Sequence, residues 1–189
     1  MYLAKGLGRL ASGSALTLSW GKDSVWPMSR SLSRMLWLAP TAVLILFDRL
    51  TKLWALNSLA LGQPRPLIGN AIRLTRVHNI GGAFGIFPGS GTLFVVVSAL
   101  IALVIIGLLL SRRLESWLLR LGLSVVLAGA IGNLIDRVAY GYVLDFFELR
   151  GFPVFNLADS CVTVGAILII IYVLFGGERD RSTRQADHA

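Results

Sequence analysis

The sequence contains few of the residues on which metal and disulfide chemistry depends. It has one cysteine, Cys161, and two histidines, His78 and His188. A single cysteine cannot form a disulfide within the chain, and a zinc site needs several clustered histidine, cysteine or carboxylate ligands. The sequence has neither an HExxH helix nor a CxxC pair. We therefore expect no metal and no cofactor.

Charged residues are also scarce, at 15% of the chain, whereas a soluble domain has about 25%. They form short clusters between long apolar runs, and 55% of all residues are hydrophobic. This pattern predicts a single-domain polytopic membrane protein. The net charge of +8 would indicate nucleic-acid binding in a soluble protein. Because most arginines flank apolar runs, we interpret the positive charge instead as setting the membrane topology and contacting anionic lipid headgroups.

Four apolar segments have roughly the 20 residues that a helix needs to cross about 30 Å of hydrocarbon. They cover residues 36–56, 92–110, 114–135 and 157–175. The predicted fold class is an all-α membrane protein with four transmembrane helices. Arginine clusters flank the spans on one side, so both termini are expected in the cytoplasm by the positive-inside rule. These arginines are Arg30, Arg34, Arg112, Arg113, Arg179, Arg181 and Arg184.

Two loops, about 57–91 and 138–156, are expected on the opposite side. Alternating and β-branched residues in "RLTRVHNIGGAFGIF" predict a small extracytoplasmic sheet or hairpin at the membrane surface. The second loop, "AYGYVLDFFELRGFPV", mixes aromatic and charged residues, which suits an interfacial position. Residues 1–27 have no convincing cleavage site, and we expect a disordered extension or a start-site artefact rather than a signal peptide. Residues 178–189 are expected to form a polar cytoplasmic tail.

The polar residues of the apolar segments fall near one depth, the outer boundary of the bilayer. Ionisable groups inside a membrane are costly and are usually functional. Their convergence at one level therefore predicts a site. Its candidates are Asp48, Lys52, Asn133, Asp136, Arg137, Asn156 and Asp159 in or beside the spans, and Asn79 and Asp145 in the outer loops.

Taken singly, most of these residues also have a purely structural interpretation. Asp48 could form an ion pair with Lys52 that fixes helix packing, Asp136 could pair with Arg137, and Asp159 could cap its helix. Asp145 alone is an ordinary loop aspartate. Two carboxylates that share a proton can hydrolyse a peptide bond, one acting as base and the other as acid. Spacing alone does not choose that pair among the four outer-side aspartates.

Five blocks, in this order, closely resemble the lipoprotein signal peptidases, also called signal peptidase II. They are "DRLTK" at 48–52, "NIGGAF" at 79–84, "AGAIGNLIDR" at 128–137, "VLDF" at 143–146 and "FNLADS" at 155–160. The resemblance covers residues 28–177. It implies a four-helix aspartic endopeptidase of the bacterial cytoplasmic (inner) membrane, with a small sheet at 63–87 resting on the bilayer. Such an enzyme removes the signal peptide of a prolipoprotein just before a cysteine that carries diacylglycerol.

The resemblance also implies roles for individual residues. Asp145 and Asp159 would be the catalytic dyad. The positions implied to bind substrate or to orient or support the dyad are Asp48, Lys52, Asn79, Gly81, Asn133, Asp136, Arg137 and Asn156. The expected partners are diacylglyceryl-prolipoproteins and membrane lipids, not nucleic acid. We expect a monomer whose active site faces away from the cytoplasm.

Two other classes of function remain in view at this point. A Ser–Lys peptidase would use Ser160 and Lys52, but Asp48, four residues away, would hold the lysine charged and unable to act as a base. A small transporter or channel would place ionisable groups throughout the bilayer depth. The inner halves of the predicted spans are apolar apart from Arg120, which disfavours that class.

Overall fold

The computed structural model describes residues 35–81, 91–114 and 116–186, with side chains described as far as residue 175. A short 3-10 turn, Leu36–Leu38, leads into the first helix. The expected extension at 1–27 lies outside the described residues. The helices are α1 (Ala39–Ser58), α2 (Gly91–Leu110), α3 (Trp117–Tyr140) and α4 (Leu157–Ala186), and the strands are β1 (Arg65–Ile68), β2 (Ile72–Asn79) and β3 (Val143–Leu149).

Three helices in the described part of the chain are long and apolar enough to cross a membrane. They are α2, α3 and the Leu157–Phe175 part of α4, so the three charge-poor spans predicted from the sequence are confirmed as helices of that length. The third helix lies further along the chain than predicted, ending at Tyr140 rather than at residue 135. Large apolar side chains on α2, including Leu103 and Val104, are more than 60% exposed, as expected of a surface that faces lipid.

Helix α3 lies at the centre of the bundle and packs against α1, α2 and α4. Its contact with α4 depends on glycine, because the two backbones approach very closely. A Cβ added at Gly129 would lie 2.3 Å from the carbonyl oxygen of Ala158, and one added at Gly165 would lie 2.7 Å from the carbonyl oxygen of Gly122. Small residues of this kind allow membrane helices to pack at short range. Asn133 of α3 and Asp159 of α4 meet at one end of this contact.

The end of α3 turns the chain directly into the third strand. Gly141 adopts φ 76°, and its N–H donates to the carbonyl of Arg137. Glycine is favoured there because it has no Cβ, the atom that makes this left-handed backbone conformation costly for other residues. The strand that follows, β3, begins two residues after this turn and holds Asp145 next to the C-terminal end of α3.

The strands form one antiparallel sheet in the order β1-β2-β3. The sheet predicted between the first two apolar segments is confirmed by β1 and β2. No strand was predicted in the second loop, which supplies β3 and completes the sheet. In the β2–β3 register, Val77 pairs with Asp145 and Asn79 pairs with Val143. Arg76 fastens the sheet to α1, since its guanidinium donates to the carbonyls of Leu56 and Leu59 at 3.0 and 3.3 Å.

Candidate active site

Asp145 lies on β3 with only 2% of its surface exposed. Its two carboxyl oxygens accept hydrogen bonds from the side-chain amides of Asn79, at 2.9 Å, and Asn156, at 2.7 Å. Burial raises the pKa of Asp145 to about 7, with a further upward contribution from the charge of Asp159. The two amide donors and Lys52 act in the opposite direction. A carboxyl group with this pKa can hold or release a proton near neutral pH.

Asp159 lies in the first turn of α4 and forms a reciprocal cap with Asn156. The Asp159 N–H donates to Asn156 Oδ1 at 3.0 Å, and the Asn156 N–H donates to Asp159 Oδ2 at 3.1 Å. This is the geometry of a capping box, so the structural interpretation of Asp159 as a cap is confirmed. Its other carboxyl oxygen accepts from the Asn133 amide at 2.7 Å. The cap and the link to α3 together fix the carboxylate in place.

Two asparagines join the aspartates into one network. The Asn156 amide donates both to Asp145 Oδ1 and to Asn133 Oδ1, the latter at 3.1 Å. The Asn133 amide donates in turn to Asp159. Asp145 and Asp159 therefore come from different elements, β3 and α4, but lie on either side of the same pair of amides.

Both aspartates line one cavity of about 1000 Å³. Its polar lining includes Asn79, Gly81, Asn133 and Arg137, all of which the sequence singled out. Much of the remaining wall is apolar. The apolar lining residues are Val77, Ile80, Val143, Phe152, Pro153, Val154, Phe155, Val162 and Val164. A long, partly apolar ligand that presents a polar group to the aspartates fits this lining.

Arg137 faces the cavity from the last turn of α3. Its guanidinium carbon lies 5.3 Å from the centre of the Phe94 ring on α2, a cation–π contact. The interpretation that pairs Arg137 with Asp136 is wrong, because the Asp136 carboxylate bonds instead to Arg49 and Lys52. Arg137 is left to face the cavity and the electrostatic field of the two aspartates.

The ion pair predicted between Asp48 and Lys52 is confirmed, with Lys52 Nζ 3.1 Å from Asp48. It is part of a larger cluster, since Lys52 Nζ is also 2.8 Å from Asp136 and donates to Asn133 Oδ1 at 3.1 Å. Arg49 completes the cluster and was not singled out from the sequence. Its place beside Asp48, inside an apolar segment, was the available signal.

The residues of the rival peptidase hypothesis are occupied elsewhere. Ser160 Oγ donates to the carbonyl of Asn156 at 3.2 Å. The Lys52 ammonium lies between the carboxylates of Asp48 and Asp136. No group of three or more His, Cys, Asp or Glu side chains within the described ranges is arranged to hold a metal ion.

Comparison with known proteins shows similarity to one family. The family model described as signal peptidase (SPase) II matches residues 41–175. The lipoprotein signal peptidase of Clostridium acetobutylicum is 46% identical over 143 residues, which cover 73% of this chain and 93% of that protein. The lipoprotein signal peptidase of Clostridioides difficile is 41% identical over 149 residues, covering 78% of this chain and all of that protein.

Solved structures show the same architecture. A bacterial membrane enzyme determined by the in meso method at 2.3 Å resolution superposes with a TM-score of 0.68 and 32% identity, covering 75% of this chain and 87% of that one. A second, determined at 1.9 Å resolution, gives a TM-score of 0.67 and 31% identity over 76% of this chain and 93% of that one. From the family match and these relatives, the chain belongs to the signal peptidase II family.

Proposed function

We propose that the protein is a membrane aspartic endopeptidase that removes the signal peptide from bacterial prolipoproteins. It cuts on the N-terminal side of the cysteine that carries diacylglycerol. The observation that carries this proposal is the convergence of Asp145 and Asp159, from separate elements, on one cavity and one pair of asparagines. Two such carboxylates can divide the work of acid and base between them.

The roles of the two aspartates follow from their surroundings. Asp145, whose pKa is about 7, carries the proton and acts as general acid. Asp159 acts as general base, oriented by the donors Asn133 Nδ2 and Asn156 N–H. Water adds its oxygen to the scissile carbonyl carbon and gives a proton to Asp159. The C–N bond then breaks, the leaving amine of the modified cysteine takes the proton of Asp145, and proton return from Asp159 to Asp145 restores the enzyme.

The remaining polar residues of the cavity bind the substrate backbone. Arg137 supplies guanidinium donors to the peptide carbonyls and to the developing oxyanion. Asn79 is held by two contacts, because its Oδ1 accepts from the Gly81 N–H at 3.0 Å while its amide donates to Asp145. This gives Gly81 a positioning role through Asn79. The apolar wall of the cavity takes the side chains and lipid of the substrate.

In the proposed membrane topology, α1 is a fourth span beside the three apolar helices. This helix has 20 residues and carries three charged ones, but Asp48 and Lys52 are only 1% and 3% exposed and are paired inside the bundle. Charges that face the bundle and are paired are tolerated in a span. With four spans both termini are cytoplasmic and the dyad lies on the outer side. The lipid chains of a substrate then stay in the bilayer while its peptide bond reaches the dyad.

One chain supplies every residue of the site, and so we propose that the enzyme works as a monomer. Membrane lipids surround the exposed apolar faces of the helices.

The test incubates purified protein in lipid nanodiscs with a synthetic diacylated prolipoprotein peptide. Cleavage is measured as a change in the mass of the peptide. We expect cleavage of the diacylated peptide and not of its unlipidated form. Asp145→Asn and Asp159→Asn should each lose activity by about 10²–10⁴-fold, the range of a general acid–base group. Ser160→Ala should retain activity.

Three results would contradict the proposal. Full activity in either aspartate variant would exclude the dyad. Loss of activity in Ser160→Ala alone would favour the Ser–Lys mechanism. Equal cleavage of the lipidated and unlipidated peptides would remove the specificity for the modified cysteine.

A further inference from the structure

Arg49 forms three polar side-chain contacts at the buried ion cluster. Its guanidinium donates to Asp48 Oδ2 at 2.6 Å, to Asp136 Oδ1 at 2.6 Å and to the carbonyl of Gly132 at 2.7 Å. The two carboxylates are each 1% exposed, whereas the Arg49 side chain is 23% exposed. Arg49 therefore covers the cluster from the side of α1 and joins α1 to α3. It is absent from the lining of the large cavity.

Lys52 alone cannot satisfy both carboxylates. An ammonium has three donors, and those of Lys52 are directed to Asp48, Asp136 and Asn133. Among the described residues, Arg49 is the one donor to Asp136 Oδ1. With Arg49 the cluster has two anions and two cations. Without it, one buried carboxylate charge would lack a partner, which is costly in a low-dielectric interior.

The same two carboxylates hold the backbone immediately before each proposed catalytic residue. Asp136 Oδ2 accepts from the Leu144 N–H at 3.1 Å, one residue before Asp145. Asp48 Oδ1 accepts from the Ala158 N–H at 3.0 Å, one residue before Asp159. Each supporting carboxylate thus anchors one half of the dyad.

We propose that Arg49 is a positioning residue that bridges Asp48 and Asp136 and so sets the spacing of the backbone segments that carry Asp145 and Asp159. This rests on the proposed function of those two aspartates. Arg49 does not contact substrate. It acts through the two carboxylates, and through Lys52 it also keeps the Asn133 amide turned toward Asp159.

Arginine suits this position, and lysine can replace its charge but not its geometry. A planar guanidinium can bond two carboxylates and a carbonyl at once, in fixed directions. The lysine ammonium, on a flexible side chain, keeps the positive charge but cannot bond both carboxylates in the fixed directions of a guanidinium. Arg49→Lys therefore separates the charge of the residue from its geometry.

The kinetic test uses Arg49→Gln and Arg49→Lys, with Arg112→Gln as a matched control that removes one exposed arginine far from the site. We expect kcat to fall on the order of 10–100-fold in Arg49→Gln, the size of effect expected from misplaced catalytic groups, with KM within about twofold. Arg49→Lys should recover part of the loss. In the Asp136→Asn background, Arg49→Gln should add little, since residues of one network are not additive.

Amide hydrogen exchange tests the positioning role of Arg49 without depending on activity. We expect Arg49→Gln to speed exchange in peptides that cover 143–149 and 156–163, while Arg112→Gln leaves both unchanged. Unchanged exchange in both peptides would overturn the proposal, as would a kcat equal to that of the parent protein.

The two proposals fail in different ways. If Asp145→Asn stays active, the dyad is wrong whatever Arg49 does. Suppose instead that the parent protein cleaves the peptide and Asp145→Asn does not. If Arg49→Gln then matches the parent in both kcat and hydrogen exchange, only the positioning role of Arg49 is wrong.

Discussion

At the scale of single residues, the chemistry of Asp145 depends on a balance between burial and hydrogen bonding. Burial and the neighbouring charge of Asp159 raise its pKa to about 7, against the lowering effect of the Asn79 and Asn156 amides. An ordinary aspartate would be ionised at neutral pH. Asp145 is instead able to deliver a proton in the pH range where the cell works, which is what a general acid requires.

The pH dependence of cleavage should report this pKa. Because the general acid must be protonated, kcat/KM should be lost as pH rises through about 7, falling about tenfold for each further pH unit. The measurement is kcat/KM for the diacylated peptide from about pH 5 to about pH 9. Ser160→Ala is the control, and its pH profile should match that of the parent protein. A flat profile across this range would exclude Asp145 as the acid.

Stability should depend on pH through the same group. Between the ordinary pKa of 3.8 and about 7, the folded protein binds more protons at Asp145 than the unfolded chain does. Stability contributed by this group therefore falls as pH rises through that window and is level above it. Asp145→Asn should remove the effect, so its melting temperature relative to the parent should rise between about pH 4.5 and about pH 8. A constant difference between the two proteins would contradict the assignment.

At the scale of elements, the dyad depends on the close contact between α3 and α4. Gly129 faces the carbonyl of Ala158, the residue that precedes Asp159. Nearby on α3, a Cβ added at Gly132 would lie 2.9 Å from Asp48 Oδ2. The glycines of α3 thus allow α1 and α4 to approach at the level of the site. A side chain there would displace the backbone that holds the Asp159 carboxylate.

Gly129→Ala tests this contact against Gly107→Ala. The added methyl at Gly129 would clash with backbone at 2.3 Å, and we expect it to lower the melting temperature and reduce kcat. Overpacking of this kind typically costs about 1–3 kcal/mol. Gly107 lies in α2 with nothing within 4 Å of an added Cβ, so its alanine variant should match the parent or be slightly more stable. Equal melting temperatures for the two variants would show that the α3–α4 interface tolerates separation.

At the scale of the whole molecule, the charge distribution orients the chain and the sheet caps one end of the bundle. Arg112 and Arg113 follow α2, while the sheet and dyad lie at the other end of α3. By the positive-inside rule, we expect the arginine end to face the cytoplasm. The proposed active site would then open on the opposite side of the membrane, to which prolipoproteins are exported.

Cysteine labelling tests this orientation. In a Cys161→Ala background, Asn70→Cys on the β1–β2 turn should react with a membrane-impermeant maleimide in intact spheroplasts. Arg113→Cys, which is also exposed and keeps Arg112 in place, should react only after the membrane is permeabilised. The reverse pattern would place the active site on the cytoplasmic side.

The amino-acid sequence alone predicted the membrane class, three charge-poor spans, the sheet of the loop at 57–91 and the family, because long apolar runs and ordered motifs are local properties of the chain. The four-residue spacing also predicted the Asp48–Lys52 pair, since helical spacing is local too. The folded structure was needed to show that β3 joins the sheet, that Asp136 pairs with Arg49 and Lys52, and that Asp145 and Asp159 share a cavity. Those outcomes depend on contacts between residues far apart in sequence, such as Arg49 with Asp136 and Asn79 with Asp145. Such contacts are fixed by how the helices and the sheet pack, and no local pattern encodes them.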